Sequence, residues 1–185
     1  MMSPTHVAAG LALATPVAVV SPELGTAAAV GGVVGGVVPD LDLFAGHHRK
    51  TLHFPVYAWL PAVAAAALAA LRPSPATVGL AVAAVAAAVH SASDVLGAGE
   101  ELRPWERTNP NAVYCHACGR WLRARYLIRY DGAPEDLLAT AVLAAPALVV
   151  FDGPVRLLAA GTVAVGAVYA AFRKRLPRYF EPIVE

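Results

Sequence analysis

Six stretches of this chain, at about residues 5–20, 24–38, 54–71, 76–96, 137–151 and 154–172, consist almost wholly of Ala, Val, Leu and Gly. Being apolar all round, they lack the polar face of a surface helix and must be covered by lipid or by one another. Several are shorter than the ~20 residues of a spanning helix; the runs at 5–20 and 137–151 could be half-inserted or packed inside the bundle. Charged residues make up 15% of the chain, where soluble domains carry about 25%. The expected fold is all-α: a single membrane-embedded domain over residues 1–185, a multi-pass helical bundle of about six apolar helices. Pro16, Pro61 and Pro146 sit inside runs and are expected to kink their helices.

The connections sort the charge. Residues 21–23, 72–76 and 152–154 read as tight turns, whereas 39–54, 97–136 and the tail after Phe172 are longer and polar. Of 14 Lys and Arg, all but Arg72 and Arg156 lie in those longer segments. If every run spans, the long segments and both termini share one side, and the excess of positive charge makes that side cytoplasmic. The expected location is the inner (cytoplasmic) membrane. No Lys or Arg precedes the first apolar run, so no cleavable signal peptide is expected. In the second run, Gly31/Gly35 and Gly32/Gly36 form overlapping small-xxx-small pairs that allow helices to approach closely. A phosphate-binding glycine loop would need the Lys-Ser/Thr signature, which is missing.

Chemistry concentrates at the polar ends. "SPTH" reads as Ser3 at an N-cap, Pro4 at the first helical position and His6 in the first turn. The second run exits into "PDLDLFAGHHRKTLHF" (39–54), which holds Asp40, Asp42, His47, His48, Arg49 and His53. The fourth run returns with "HSASD", placing His90 and Asp94 four apart on one helix face. The topology drawn from Lys and Arg alone therefore gathers His6, Asp40, Asp42, His48, His53, His90 and Asp94 at one end. Singly, each has a plain explanation: a hydrogen-bonded His-xxx-Asp pair, a proline-stopped helix, a basic loop at headgroups. Together they form a set that zinc, manganese or iron would accept, and ionisable groups in a membrane domain are costly enough to imply function.

Two features stand outside that set. "CHAC" (115–118) is half a zinc site or a redox pair, and an inert pair in a reducing cytosol is the favoured expectation. "GRWLRARYLIRY" (119–130) mixes Arg with Trp and Tyr, as suits an interfacial loop on the cytoplasmic side; a nucleic-acid partner is not required by it.

The ordered motifs Thr5-His6…Gly10, Pro39-Asp40-Leu41-Asp42, His48-Arg49…His53 and His90…Asp94…Gly99…Pro104 resemble the membrane-bound metal-dependent hydrolase family (YdjM-type, described as LexA-binding and inner-membrane-associated). The likeness spans roughly residues 3–105. The family usually reads His-Arg-Gly-x-Thr-His-Ser where this chain has "HRKTLHF", so Thr51 is displaced and Phe54 replaces the Ser. The order of ligands is also similar to that of zinc-dependent phospholipase C and the single-strand zinc nucleases. The resemblance implies a phosphoester hydrolase acting through a metal-activated water on a lipid or its headgroup, with zinc the leading cofactor. His6, Asp40, Asp42, His48, His53, His90 and Asp94 would supply ligands. Asp40 is expected to bind metal and Asp42 to act as base or second-metal ligand (the two could exchange), while Arg49 steadies the anion. The alternatives are a metal-ion transporter and a non-catalytic membrane protein that binds a regulator protein around a structural metal.

Overall fold

The computed structural model describes residues 1–179; residues 180–185, including the C-terminus that the sequence assigns to the cytoplasmic side, lie outside the described residues. The apolar runs fold as six α-helices: α1 (Ser3–Val20), α2 (Pro22–Val37), α3 (Trp59–Leu71), α4 (Pro75–Ser93), α5 (Pro134–Val150) and α6 (Gly153–Phe172). Helix α2 runs on into a 3-10 turn at Val38–Leu43 and α4 into one at Asp94–Leu96. Among the described residues, four segments are long and apolar enough to cross a membrane: Ser3–Val20, Pro22–Leu43, Pro75–Leu96 and Gly153–Arg175. The count of spans is therefore four by length and composition. At 1.5 Å per residue α3 reaches only about 20 Å and α5 about 26 Å, short of a hydrocarbon core of ~30 Å.

Proline acts by position. Pro16 and Pro146 lie inside helices, but Pro61 falls in the first turn of α3, where its missing N–H has no intrahelical acceptor to lose and no kink is required.

The molecule is mostly but not wholly helical. Within residues 97–136, β1 (Asn111–Cys115) pairs antiparallel with β2 (Arg120–Arg123), matching Tyr114 with Trp121 and Cys115 with Arg120. Val, Tyr and Trp favour the pleated surface, and Gly119, at φ +63°, takes the left-handed conformation that closes the turn. The segment thus carries a folded hairpin. Backbone bonds tie it down: Arg125, Tyr126 and Ile128 donate to the carbonyls of Val95, Gly97 and Leu96 at the end of α4, and Tyr114 donates to that of Arg49.

Glycines set the spacing of the bundle. A Cβ on Gly10 would collide with the backbone of Gly32, and one on Gly36 with the backbone of His6 and Val7; one on Gly31 would meet Gly79, and one on Gly35 would meet Ala83. The Gly32/Gly36 pair therefore faces α1 and the Gly31/Gly35 pair faces α4, leaving α2 wedged between them at backbone contact. The apolar core, with Leu11, Ala14, Ala28, Val82, Ala147 and Phe151, lies towards the end with the tight turns. The other end is held by polar knots. Asp136 is fully buried and accepts from Met2 N (2.8 Å), Thr5 Oγ1 (2.6 Å) and Gly132 N (3.0 Å). Arg173 binds Asp131 through Nε (2.7 Å) and the Leu102 carbonyl through Nη2 (3.1 Å).

Candidate metal centre

The glycine-spaced packing of α1, α2 and α4 decides what meets at the polar end. His6 comes from the first turns of α1, Asp40 and Asp42 from the turn after α2, His48 and His53 from the following loop, and His90 and Asp94 from the end of α4. Among the described residues, two groups have ligand atoms within 4.8 Å of one another: His6, His90 and Asp94, and Asp40, His53 and His90.

The innermost donors face each other as two imidazoles and two carboxylates. His53 Nε2 lies 3.3 Å from Asp94 Oδ2 and 3.8 Å from Asp40 Oδ1. His90 Nε2 lies 3.3 Å from Asp40 Oδ1 and 3.7 Å from Asp94 Oδ2. Donors ~2.0–2.1 Å from a tetrahedral zinc stand about 3.3–3.4 Å apart; two of these separations match that edge and the other two are longer by about 0.4 Å. Their tautomers also suit a cation. His53 Nδ1 donates to Asp42 Oδ2 (2.9 Å) and His90 Nδ1 to the Gly36 carbonyl (2.8 Å). In the neutral rings each Nε2 then carries a lone pair. Both Nε2 atoms are buried without a hydrogen-bond partner. A buried acceptor left unpaired is costly, and a cation between the two pairs would satisfy both. The residues present fit a divalent metal.

His6 stands on the far side of Asp94. Its Nε2 is 3.1 Å from Asp94 Oδ1, which also accepts from the Met1 amine (2.9 Å), and its ring stacks on His90 at 3.6 Å between centroids. The two oxygens of Asp94 thus serve different neighbours. At the outer edge Asp40 is the one inner donor with noticeable exposure, 13% of its side chain, and Ser3 Oγ holds its second oxygen at 2.5 Å. Ser3 opens α1 without capping it; its hydroxyl serves the site instead.

Three of the sequence-assigned residues stand apart from the inner donors. Asp42 is not part of the inner set: it is 1% exposed, one oxygen accepts from His48 Nδ1 (2.9 Å), and the other accepts from His53 Nδ1 and the Leu52 N–H (3.1 Å). A carboxylate holding three donors is placed to fix the orientation of the two rings. His48 likewise lies outside the two metal-competent groups; it is half-buried, edge-on to His53 at 5.5 Å, and only its Nδ1 is bonded. Arg49 is buried and donates through Nη1 to the carbonyls of Ala98 (2.7 Å) and Ala112 (3.4 Å), with Nε 4.0 Å from Asp94. It binds the hairpin segment to the loop and is not exposed to steady a substrate. Sequence reasoning missed Ser3, whose hydroxyl three residues from His6 was the available signal, and Asp136, visible only as an acid at a helix start.

The loop histidines diverge electrostatically. Burial and the Arg49 charge push the His48 pKa below its ordinary value, against the Asp42 bond. Burial also disfavours the His53 imidazolium, but Asp94 and Asp42 outweigh it and the pKa rises.

Cys115 and Cys118 are joined as a disulfide with Cα atoms 5.1 Å apart, where the sequence suggested an inert reduced pair. No protein-family description, curated protein or solved structure matches the chain.

Proposed function

We propose that the chain is a membrane-embedded, metal-dependent hydrolase of phosphoesters whose centre opens on the cytoplasmic headgroup region. The observation that carries the reading is the pair of buried, unpartnered His53 and His90 Nε2 atoms aimed at Asp40 and Asp94. The order of its His and Asp motifs, similar to that of the membrane-bound metal-dependent hydrolases, supports the same class. His53, His90, Asp40 and Asp94 would hold the ion, zinc foremost, with His6 backing Asp94. A divalent cation there supplies Lewis acidity and brings the pKa of a bound water to about 7. Asp42 fixes the tautomers of His48 and His53 together. His48, neutral at pH 7 and unbonded at Nε2, is the group suited to accept or return a proton at the mouth. Asp40, partly exposed, marks the side from which a phosphoester would approach. The concentration of Lys and Arg in the long segments favours the cytoplasmic side for this end.

A second reading has its own observation. Of the four donors, the side chains of His53, His90 and Asp94 are at most 2% exposed and that of Asp40 13%, and closed four-donor sites are characteristic of structural metals. Metal analysis of detergent-purified protein beside a His90→Ala/Asp94→Ala variant, with phosphodiesterase turnover and thermal unfolding on both, separates the two. A hydrolase loses metal and turnover together while His48→Ala keeps metal and loses turnover. A structural centre loses metal and folding, with no turnover in any form. Protein that binds no divalent metal overturns both.

A further inference from the structure

The Cys115–Cys118 pair is unused by the metal chemistry, yet it is wired to the loop that carries it. His116, inside the four-residue disulfide ring, is bonded through Nε2 to the Lys50 carbonyl at 2.7 Å and stacks on Phe54 at 4.6 Å between centroids. Two residues earlier, the Tyr114 N–H donates to the Arg49 carbonyl (2.9 Å), and the Lys50 ammonium lies 4.5 Å from the centre of the Tyr114 ring. These contacts follow His48 directly and flank His53 on both sides in sequence.

The pair is asymmetric in access. Cys115 is 1% exposed at the end of β1, whereas Cys118 is exposed in the turn, its N–H 3.2 Å from Cys115 Sγ. A disulfide on the side that the positive charges assign to the cytosol meets a thiol-reducing compartment, where disulfides are transient, catalytic or sensing. Exchange begins at the sulfur that a thiolate can reach.

We propose that Cys115–Cys118 is a thiol-exchange site for small or protein-borne dithiols, and that its redox state sets how firmly the 47–54 loop is held over the metal centre. A dithiol's thiolate attacks Cys118 Sγ, breaking the Sγ–Sγ bond and releasing Cys115 as thiolate beside the Cys118 N–H. The reductant's second thiolate then attacks its own sulfur in the mixed disulfide and leaves as a cyclic disulfide. Cys115 and Cys118 each take up a proton, so two electrons and two protons pass from the dithiol to the protein. Opening the ring frees the turn that orients His116 and with it the grip on Lys50 and Phe54. The effect on zinc rests on the metal-centre reading; the effect on the loop does not.

The experiment titrates detergent-purified protein with dithiothreitol, alkylates it, and reads thiols by intact mass, zinc loss to a chelator, and hydrogen exchange over residues 47–54. Two alkylations appearing only after reduction, a several-fold faster zinc loss and faster exchange in 47–54 are expected. Cys115→Ser/Cys118→Ser should behave as the reduced form whether or not dithiothreitol is present, which also excludes zinc capture by free thiols. Alkylation without reductant overturns the disulfide, and equal exchange in both redox states overturns the coupling. Exchange is read on metal-free protein as well, so protein that binds no zinc sinks the metal centre while the clasp is still decided.

Discussion

At the scale of single residues, the centre is organised by a carboxylate that stands behind the inner set and holds one of its imidazoles. Asp42 holds Nδ1 of both His48 and His53, so one side chain sets two ring orientations. Asp42→Asn keeps the shape, but its amide has one acceptor oxygen where the carboxylate has two, and one imidazole must flip or lose its bond. Removing such a supporting partner typically costs 10–100-fold in metal affinity. Zinc affinity by competition with a chelator dye should fall by about that factor in Asp42→Asn, with helical content by circular dichroism retained. A variant that loses less than about threefold would remove Asp42 from the positioning role. The types and spacing of these residues pointed to a cluster; which carboxylate faces inward did not follow from them. Asp40 and Asp42 are two apart in "PDLD" and chemically alike. Only the 3-10 turn of Val38–Leu43 points one at His90 and the other at His53 Nδ1.

At the scale of elements, the glycines of α2 are the spacers that let the centre form. The close approach was legible, because small residues four apart have that effect in lipid. Their division of labour was not: consecutive glycines differ by about 100° around a helix, and the neighbour each meets depends on the tertiary arrangement. Gly32→Ala drives a methyl into the Gly10 backbone, an overpacking of the kind that costs about 1–3 kcal/mol. Gly161→Ala in α6 meets nothing and replaces a poor helix former by a good one, a gain of up to about 1 kcal/mol. Unfolding in detergent should show Gly32→Ala less stable, with reduced zinc content, and Gly161→Ala unchanged or more stable; equal midpoints would contradict the packing. The hairpin shows the reverse limit. Val, Tyr and Trp around "CHACG" are strand and turn residues, but their interleaved arginines read as well for a membrane surface, and pairing is a non-local fact.

At the scale of the whole molecule, the tight turns after α1, α3 and α5 lie away from the centre. Pro16, Ser21 and Pro73 border one apolar cavity of about 450 Å³ at that opposite end. If the charge distribution sets orientation, a cysteine at Ala45→Cys, on a background of Cys115→Ser/Cys118→Ser, reacts with an impermeant maleimide in inside-out vesicles and not in right-side-out ones. Asp152→Cys gives the opposite pattern. The reverse result would move the centre to the outer face and place the natural disulfide in an oxidising compartment.

The sequence by itself determined that the chain is mostly helical, with runs apolar enough for a membrane, and that its His and Asp motifs collect at one end. Both follow from composition and from where charge is absent, and lipid penalises any unpaired polar group in the spans. Tertiary structure alone decided the rest: four helices long enough to cross, a strand hairpin over the polar end, Asp40 and Asp94 inward with Asp42 behind. Those outcomes depend on ångström-scale approach between segments up to ninety residues apart, and short-range spacing does not encode such distances.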